Sequence, residues 1–386
     1  MKTHYSAVIV GGGPAGASAA RALAKRGVDV CVVDRFLFPR PKLCGGLLTQ
    51  RAKKNYVEIF GPGWDEMYEY RCAGAKFFDG ERLLNAIKNY GELYVCDRYR
   101  FDARLVDKAK SSGAVLLPGD KVTAVDTRHR VCKLHSGKEI TYRYLIGADG
   151  VNSVVANAIH NGKTSRNGKA FALEVVMPAA ALSREIAEPE IYFDSIDWGY
   201  GWIFPRNDEI VIGIGGLFSK NRDFKAIFNT FFRERFGREF TGVVKGHFVP
   251  FGEYSKGMGR DGVLLAGDAA GLVDPITGEG IAYAMQSGFY AAQSILEALS
   301  GKSKNVNAEY RMRCAVITDE LAYAAKLRNF LFSAATRELF INALARSTSA
   351  PRRYMDLMSG DITYRELLKN SGRKLIRMAA SKIAGK

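Results

Sequence analysis

The sequence contains no Cys-x-x-Cys pair and only five histidines, so a zinc site is not expected. Its six cysteines are scattered from Cys31 to Cys314, which is unlike a disulfide framework and favours a reducing cytoplasm. No uninterrupted run of about 18 apolar residues occurs, so no segment is predicted to cross a bilayer as a helix. The amino-terminal apolar stretch ends at Val10 and continues into glycines, unlike a signal peptide. These absences predict a cytoplasmic protein with no metal site.

Acidic residues are in the minority, with 40 Asp plus Glu against 56 Lys plus Arg, a formal net charge of +16. This charge favours an anionic partner such as nucleic acid, a phosphate-bearing ligand or an acidic membrane surface. No helix-turn-helix or RNA-binding pattern accompanies it, so nucleic acid is not expected. Residues 351–386 carry nine basic residues against three acids. They fit either a basic amphipathic helix at an anionic membrane or a solvated tail.

The opening residues predict a strand, a tight turn, a helix and a second strand. Residues 5–10 (YSAVIV) form an apolar β-rich run, and residues 28–34 (VDVCVVD) form another. Between them lie Gly11, Gly13 and Gly16 in a Gly-x-Gly-x-x-Gly turn, followed by a helix of small residues. This βαβ order predicts a parallel sheet.

The glycine turn has the chemistry of a dinucleotide site. Its glycines permit a tight turn and a close approach of the backbone to a pyrophosphate, and the first N–H groups of the helix favour phosphate. Asp34, at the end of the second strand, can accept hydrogen bonds from the adenosine ribose. This stretch alone leaves NAD and FAD as alternatives.

Two later strand ends carry further acidic turns. Residues 144–153 (YLIGADGVNS) place Asp149 just after a strand, and residues 263–281 (VLLAGDAAGLVDPITGEGI) place Asp268 after another. An acid held between glycines in this position suits a contact to a ribityl chain or to the phosphate side. Residues 277–280 open a long helix whose N–H dipoles can face a flavin. The three turns together predict FAD.

The three motifs resemble those of a known flavoprotein family. Gly-x-Gly-x-x-Gly, Gly-Ala-Asp-Gly-x-x-Ser and Ala-Gly-Asp-Ala-Ala-Gly with Pro-Ile-Thr-Gly-Glu-Gly-Ile are similar to those of the p-hydroxybenzoate-hydroxylase-like flavoproteins, and most like those of the geranylgeranyl reductases. The likeness runs from about residue 5 to about residue 300, and the C-terminal helices resemble bacterial colicin-M-resistance flavoproteins. The resemblance implies FAD contacts at Ala15, Asp34, Cys44, Gly45, Arg98, Val122, Asp268, Gly280 and Ile281.

Two of these positions have a physical argument of their own. Cys44 stands in Leu-Cys-Gly-Gly, which resembles the Cys-Gly-Gly element of the prenyl reductases, where the cysteine lies near the flavin. A thiol there is a candidate proton donor, and the alternative is a small apolar filler. Arg98 precedes a predicted helix and fits either a bidentate phosphate contact or a surface salt bridge.

An aromatic segment follows the pattern that lines the isoprenoid channel in the same family. Residues 199–205 (GYGWIFP) match Tyr-x-Trp-x-Phe-Pro. Alternation along a strand puts Tyr200, Trp202 and Phe204 on one face, where they form an aromatic wall suited to an apolar chain beside the flavin. Ordinary packing of the sheet under a helix is the alternative. Tyr200 is a second candidate proton donor.

The patterns predict an α/β protein with a Rossmann-like FAD-binding domain, an antiparallel β-sheet substrate domain and a C-terminal helical region. Period-two segments between about 170 and 250 predict the antiparallel sheet. The predicted domains interleave along the chain: FAD-binding 1–72, 97–165 and 251–300, substrate 73–96 and 166–250, and helical 301–386.

The resemblance implies an FAD-dependent reductase that saturates carbon–carbon double bonds of a prenyl lipid by hydride transfer from reduced flavin. The alternatives are flavin-dependent monooxygenation and a non-catalytic flavoprotein that binds polyprenyl lipid or passes electrons. Residues 213–216 lie within a strand and indicate a bulge or a close approach, so no second dinucleotide turn is predicted. The electron donor, NADPH or a ferredoxin-like protein, is therefore expected to dock transiently. Peripheral contact with the anionic inner membrane surface is also expected.

Overall fold

A computed structural model describes residues 2–160, 168–251, 254 and 257–369 of the chain. The described strands form three sheets. In chain order the strands are β1 (His4–Val10), β2 (Val30–Asp34), β3 (Leu47–Leu48), β4 (Tyr70–Cys72), β5 (Ala75–Asp79), β6 (Arg82–Ile87), β7 (Leu93–Val95), β8 (Val115–Pro118), β9 (Val122–Asp126), β10 (Val131–Leu134), β11 (Glu139–Gly147), β12 (Ala170–Pro178), β13 (Glu190–Tyr192), β14 (Gly199–Arg206), β15 (Glu209–Leu217), β16 (Lys245–Val249), β17 (Gly259–Arg260) and β18 (Val263–Leu265). The helices of the described residues include α1 (Pro14–Ala24), α2 (Gln50–Phe60), α3 (Arg98–Lys110), α4 (Val154–His160), α5 (Phe224–Phe236), α6 (Ile281–Leu299), α7 (Val306–Phe332), α8 (Arg337–Arg346) and α9 (Ala350–Ser359).

The first sheet is built on five parallel strands in the order β18, β11, β1, β2 and β8. Strand β2 is buried along its whole length, as expected for an apolar strand that is covered on both faces. Strands β9, β10 and β17 extend this sheet through antiparallel pairs. The predicted Rossmann-like fold with a parallel sheet is confirmed.

The second sheet has seven strands in the order β16, β12, β15, β14, β13, β5 and β6. Its pairs are antiparallel except the parallel pair of β13 with β5. Helix α5 covers one face, where Phe228, Phe231 and Phe232 are buried together with Ile203 and Ile212. The predicted antiparallel sheet is confirmed, with one parallel pair inside it.

The C-terminal helices cover the other face of the second sheet. Leu331 of α7, Ile341 of α8 and Tyr354 of α9 belong to one buried cluster with Trp202 of β14. Within the described ranges, none of the helices combines the length and the apolar character needed to cross a membrane. The basic amphipathic segment predicted at the C-terminus falls mainly on 370–386, outside the described residues.

A third, small sheet joins β3, β7 and β4. Strand β7 falls within 73–96, the first range predicted for the substrate domain, whereas β5 and β6 of that range join the seven-stranded sheet. The predicted domain boundaries themselves stay a prediction.

Candidate functional site

The three acidic or glycine-rich turns lie at one edge of the parallel sheet. Val10 at the end of β1 pairs with Gly147 at the end of β11, which in turn pairs with Leu265 at the end of β18. The carboxyl ends of parallel neighbours meet at the same edge, and ligands of open α/β sheets bind there. Segments far apart in the sequence are thus brought together by the strand order.

Glycines let the backbone segments around the Gly-x-Gly-x-x-Gly turn, here called the dinucleotide cradle, pack directly against one another. Gly11 has φ +98°, and a Cβ there would overlap the carbonyl oxygen of Ala148. A Cβ at Gly16 would overlap the carbonyl oxygen of Gly11, and one at Gly288 of α6 would overlap that of Ala15. Helix α1 therefore starts directly against the strand edge and against α6, which leaves its first N–H groups facing the cavity edge.

Asp34 lies at the carboxyl end of β2 beside this turn. Its buried carboxylate accepts hydrogen bonds from Gly12 N at 2.7 Å and from Phe36 N at 2.9 Å. Two backbone donors fix its orientation, and the remaining lone pairs can accept from the hydroxyls of a ribose. The position agrees with the predicted adenosine contact.

A cavity of about 630 Å³ runs from the cradle to the inner face of the second sheet. Gly16 packs the helix on the strand and is not among the lining residues. The other predicted cofactor and substrate residues all line the cavity: Gly11, Gly13, Ala15, Asp34, Cys44, Gly45, Arg98, Val122, Tyr200, Trp202, Phe204, Asp268, Gly280 and Ile281.

Arg98 belongs to a buried cluster with net positive charge. Its guanidinium makes two hydrogen bonds to Asp102, at 2.7 and 2.9 Å, and Arg40 pairs with the same carboxylate at 3.1 Å. Both arginines are buried, so the predicted surface salt bridge is wrong in its location: the pair lies inside. Two guanidinium groups paired with one carboxylate leave a centre of net positive charge. Arg40 Nη2 lies 3.7 Å from the position that a Cβ on Gly13 would take, so this centre is next to the glycine turn. This centre can attract the pyrophosphate.

The loop before α6 is held from two sides. Asp274 is buried and accepts hydrogen bonds from Ile276 N at 2.8 Å and from the Tyr364 hydroxyl, at 2.8 Å on Oδ2. Tyr200 donates its hydroxyl proton to the carbonyl oxygen of Thr277 at 2.5 Å. The loop leads into Gly280, the residue before α6, so the helix N-terminus is directed at the cavity.

The carboxylate of Asp149 makes hydrogen bonds to residues that follow it closely in the chain. It accepts hydrogen bonds from Ser153 Oγ at 2.5 Å and from Val154 N at 2.7 Å, and so caps the first turn of α4. These hydrogen bonds use part of the acceptor capacity of the carboxylate, and Asp149 also lines the cavity, so the expected contact to the ribityl chain or to the phosphate side stays a prediction. Burial raises the pKa of this carboxyl, against the lowering effect of those hydrogen bonds.

Cys44 lies in a turn against the aromatic wall. Its Sγ accepts a weak hydrogen bond from Gly46 N at 3.4 Å, and its N–H donates to Glu174 Oε1 at 3.2 Å. A Cβ on Gly45 would lie 3.0 Å from the Phe204 ring, tighter than nearly all real contacts. A glycine after Cys44 thus lets the turn approach the wall.

The predicted aromatic wall is formed as alternation requires. The Tyr200 and Trp202 rings lie 6.1 Å apart in an edge arrangement, and Trp202 and Phe204 lie 6.4 Å apart. A Cβ on Gly213 would overlap the Trp202 ring. Of the two expectations for residues 213–216, a bulge or a close approach, the structure therefore shows the close approach. The register between β14 and β15 is regular, with Trp202 opposite Gly213. Burial raises the pKa of the Tyr200 hydroxyl, which makes it a poor acid.

Sequence reasoning missed two polar residues of the cavity, Glu174 and His247. Glu174 lies on β12 with its pKa raised by burial to about 7. Lys42 Nζ lies 3.3 Å from His247 Nε2, and burial lowers the pKa of both groups. Glu174 is the one acid in the apolar strand sequence AFALEVVMP, and a buried charge in such a strand is the signal that could have found it.

These features fit FAD along its length. The cradle gives backbone N–H groups and a positive centre for the pyrophosphate, Asp34 suits the adenosine ribose, and the far end of the cavity is apolar and aromatic. The fold and the site together define an FAD-dependent oxidoreductase.

The comparisons with known proteins agree. The family described as an FAD binding domain matches residues 4–208 and 251–321. A menaquinone reductase of Mycobacterium tuberculosis is 32% identical over 310 residues, which cover 74% of this chain and 75% of the relative. A geranylgeranyl diphosphate reductase of Rhodobacter capsulatus is 32% identical over 317 residues, 77% of each chain. The solved structure of a geranylgeranyl bacteriochlorophyll reductase-like protein from Thermoplasma acidophilum matches with a TM-score of 0.80 at 22% identity, over 95% of this chain and 99% of that one.

The chain belongs to the geranylgeranyl reductase family of FAD-dependent oxidoreductases. The resemblance stated from the motifs is confirmed, and so is FAD as the cofactor. The narrower likeness to colicin-M-resistance flavoproteins stays a prediction, and so do the individual roles of the site residues.

Proposed function

We propose that the protein saturates carbon–carbon double bonds in the prenyl chain of a lipid. The observation that carries this proposal is the shape of the site: one cavity joins the dinucleotide cradle to a wall of Tyr200, Trp202 and Phe204. The names of the relatives support it, because two of them are reductases of isoprenoid compounds, namely of geranylgeranyl diphosphate and of menaquinone.

The apolar half of the cavity suits a hydrocarbon chain. Ile191 of the sheet and Tyr354 and Met358 of α9 line it together with the aromatic wall. Burial of apolar surface contributes about 25 cal/mol per Å², so a prenyl chain can bind tightly with few polar contacts. The sheet and the C-terminal helices that enclose this half also exclude water from an alkene bound there.

Reduction of an isolated alkene needs a hydride at one carbon and a proton at the other, and reduced FAD supplies the hydride from N5 when it is bound. The protein must hold the double bond in place, keep the site dry and deliver the proton. Cys44 and Tyr200 are the donors that the sequence suggests. Of these, Tyr200 already donates its proton to Thr277 O, which favours a role in holding the loop before α6.

The partners follow from the same proposal. A prenyl or polyprenyl lipid is the substrate, and NADPH or a ferredoxin-like protein reduces the flavin during a transient encounter. The net charge of +16 favours peripheral contact with an anionic membrane, where such lipids are found.

The test is anaerobic incubation of the dithionite-reduced, FAD-loaded protein with geranylgeranyl diphosphate or with a menaquinone, followed by mass spectrometry of the lipids. We expect the product to gain the mass of two hydrogens for each double bond reduced, and oxidised protein to give no gain. No gain from either lipid would overturn the proposal.

Two other outcomes assign the alternatives. Incorporation of oxygen from labelled O2 into an aerobic product indicates a monooxygenase. Tight lipid binding without any change of mass indicates a flavoprotein that binds polyprenyl lipid or passes electrons.

A further inference from the structure

A buried carboxyl group lies on the cavity wall next to the Cys44 turn. Glu174 is 5% exposed, and its Oε1 accepts the hydrogen bond from Cys44 N at 3.2 Å. Its Oε2 is buried and has no hydrogen-bond partner in the described part of the chain. An ionised carboxylate with an unpaired buried oxygen is costly, so such a group tends to keep its proton.

The electrostatic surroundings leave this proton available near neutral pH. Burial raises the pKa of Glu174 to about 7, while the Cys44 N–H and the positive charges of Arg206, Lys42 and Arg98 oppose the rise. A general acid works best when its pKa lies near the working pH. The charged and titratable groups around Glu174 are Lys42 and Cys44 on the turn, Arg98 on α3, Arg206 on β14, and Lys245 and His247 on β16.

The sheet register places this carboxyl beside the aromatic wall. Glu174 of β12 pairs with Gly213 of β15, which pairs with Trp202 of β14. Because Gly213 has no side chain and a Cβ there would overlap the indole, the Trp202 ring lies over the strand that separates it from Glu174. Only Gly213, which has no side chain, lies between Glu174 and Trp202 across the sheet. The ring of Trp202 belongs to the surface on which the prenyl chain is proposed to lie.

We propose that Glu174 is the catalytic acid of this site. It gives its Oε2 proton to one carbon of the prenyl double bond, while the other carbon receives a hydride from the reduced flavin. The π bond breaks, two C–H bonds form, the alkene gains two electrons and the flavin loses them. The carboxylate regains a proton from water between turnovers. This inference rests on the proposed function.

Glu174→Gln separates proton donation from structure. The amide keeps an oxygen that can accept from Cys44 N, but it has no acidic proton. We expect turnover of geranylgeranyl diphosphate to fall by about 100-fold or more, with the FAD content and the KM at the wild-type level. The wild-type kcat should decrease as pH rises through about 7, and this decrease should be absent from the residual activity of the variant.

Glu190→Gln is the matched control. Glu190 is buried in β13 of the same sheet, but it pairs with Arg184 and is not a lining residue of the cavity. We expect this variant to keep wild-type turnover.

A spectroscopic measurement needs no turnover. Infrared titration of the resting FAD-loaded protein should show a protonated carboxyl band that disappears as pH rises through about 7, and the band should be missing from Glu174→Gln. Its absence from the wild type would overturn the proposal.

Cys44→Ala distinguishes the two donors. A Glu174→Gln variant as active as the wild type, together with an inactive Cys44→Ala, would assign the proton to the thiol and overturn the inference while the proposed function stands. A wild-type protein that reduces neither prenyl lipid would overturn the proposed function as well.

Discussion

Asp34 is the single side chain on which binding of the adenosine half of FAD should depend most. Replacement by alanine removes a carboxylate that orders the turn through Gly12 N and that faces the cavity. Hydrogen bonds to a charged group contribute about 1.5–3 kcal/mol, so Asp34→Ala should weaken FAD binding by about 10- to 100-fold. Titration of the apoprotein with FAD, followed by flavin fluorescence, measures the change.

The control for this prediction lies just before the same strand. Asp29 precedes β2 and pairs with Lys2 at the surface, so Asp29→Ala should leave the FAD affinity unchanged. Equal affinities for the two variants would contradict the role of Asp34.

Glu174 should also make the stability of the protein depend on pH. A group whose pKa is raised in the folded state stabilises the fold below its unfolded pKa and loses that contribution as pH rises through its folded pKa. For Glu174 the rise is from 4.5 to about 7. Between about pH 4.5 and pH 8 the wild type should therefore lose roughly 3 kcal/mol relative to Glu174→Gln. Urea unfolding of both proteins across this range tests it, and parallel pH curves would contradict it.

At the scale of single residues, the motifs predicted the residues at the FAD-binding edge of the sheet but did not point to Glu174, the proposed proton donor. Gly11, Gly13 and Asp34 could be placed from sequence because a phosphate turn requires fixed spacings. The role proposed for Glu174 follows no spacing, since it depends on the strands that bury this residue. The capping role of Asp149 could not be predicted, because the helix that it caps, beginning at Val154, is short and has little periodic signal.

The pairing of β14 with β15 depends on glycines that leave room for an indole. A Cβ at Gly213 would overlap the Trp202 ring, so Gly213→Ala should displace that ring. Overpacking of this kind costs about 1–3 kcal/mol, and the substrate wall should be disturbed as well. Thermal unfolding and tryptophan fluorescence measure both effects.

Gly215→Ala is the graded control on the same strand. Its Cβ would stand 3.3 Å from the Trp202 ring, a contact that a small shift relieves. We expect it to be clearly milder than Gly213→Ala. A reversed order would show that the glycine at 213 is not required for the ring to fit.

Strand existence could be predicted from alternation, whereas strand partners could not. The pattern GYGWIFP predicts which side chains share a face, because the period of a strand is two residues. It does not reveal that β13 pairs in parallel with β5, more than 100 residues earlier in the sequence. Nor does it show that β7 joins a different sheet from the β5–β6 hairpin, since the partner of β7 depends on which sheet has a free edge.

At the scale of the whole molecule, Asp274 links the C-terminal region to the FAD edge. Tyr364 donates to Asp274, and Asp274 in turn holds the backbone before α6. Tyr364→Phe removes a donor from a buried carboxylate, so we expect a loss of about 1–3 kcal/mol in unfolding free energy and a shift of the flavin absorption spectrum. Urea unfolding and visible spectroscopy of the FAD-loaded protein check the two effects.

Tyr90→Phe is the control for the spectral effect. Tyr90 donates to Asp356 of α9 at 2.7 Å, outside the loop that precedes α6. Tyr90→Phe should lower the unfolding free energy by about as much as Tyr364→Phe and leave the flavin spectrum unchanged. A spectrum altered equally in both variants would show that the C-terminal helices act through general packing.

The strand order at the dinucleotide edge has a consequence for biosynthesis. The three strands that meet there end at Val10, Gly147 and Leu265, so the last of them leaves the ribosome only after about two thirds of the chain has been made. Contacts that distant in sequence form slowly, and a chain that lacks the last strand exposes apolar surface. Flavin loading must therefore follow translation of that strand, and nascent chains that stall before it should depend on chaperones.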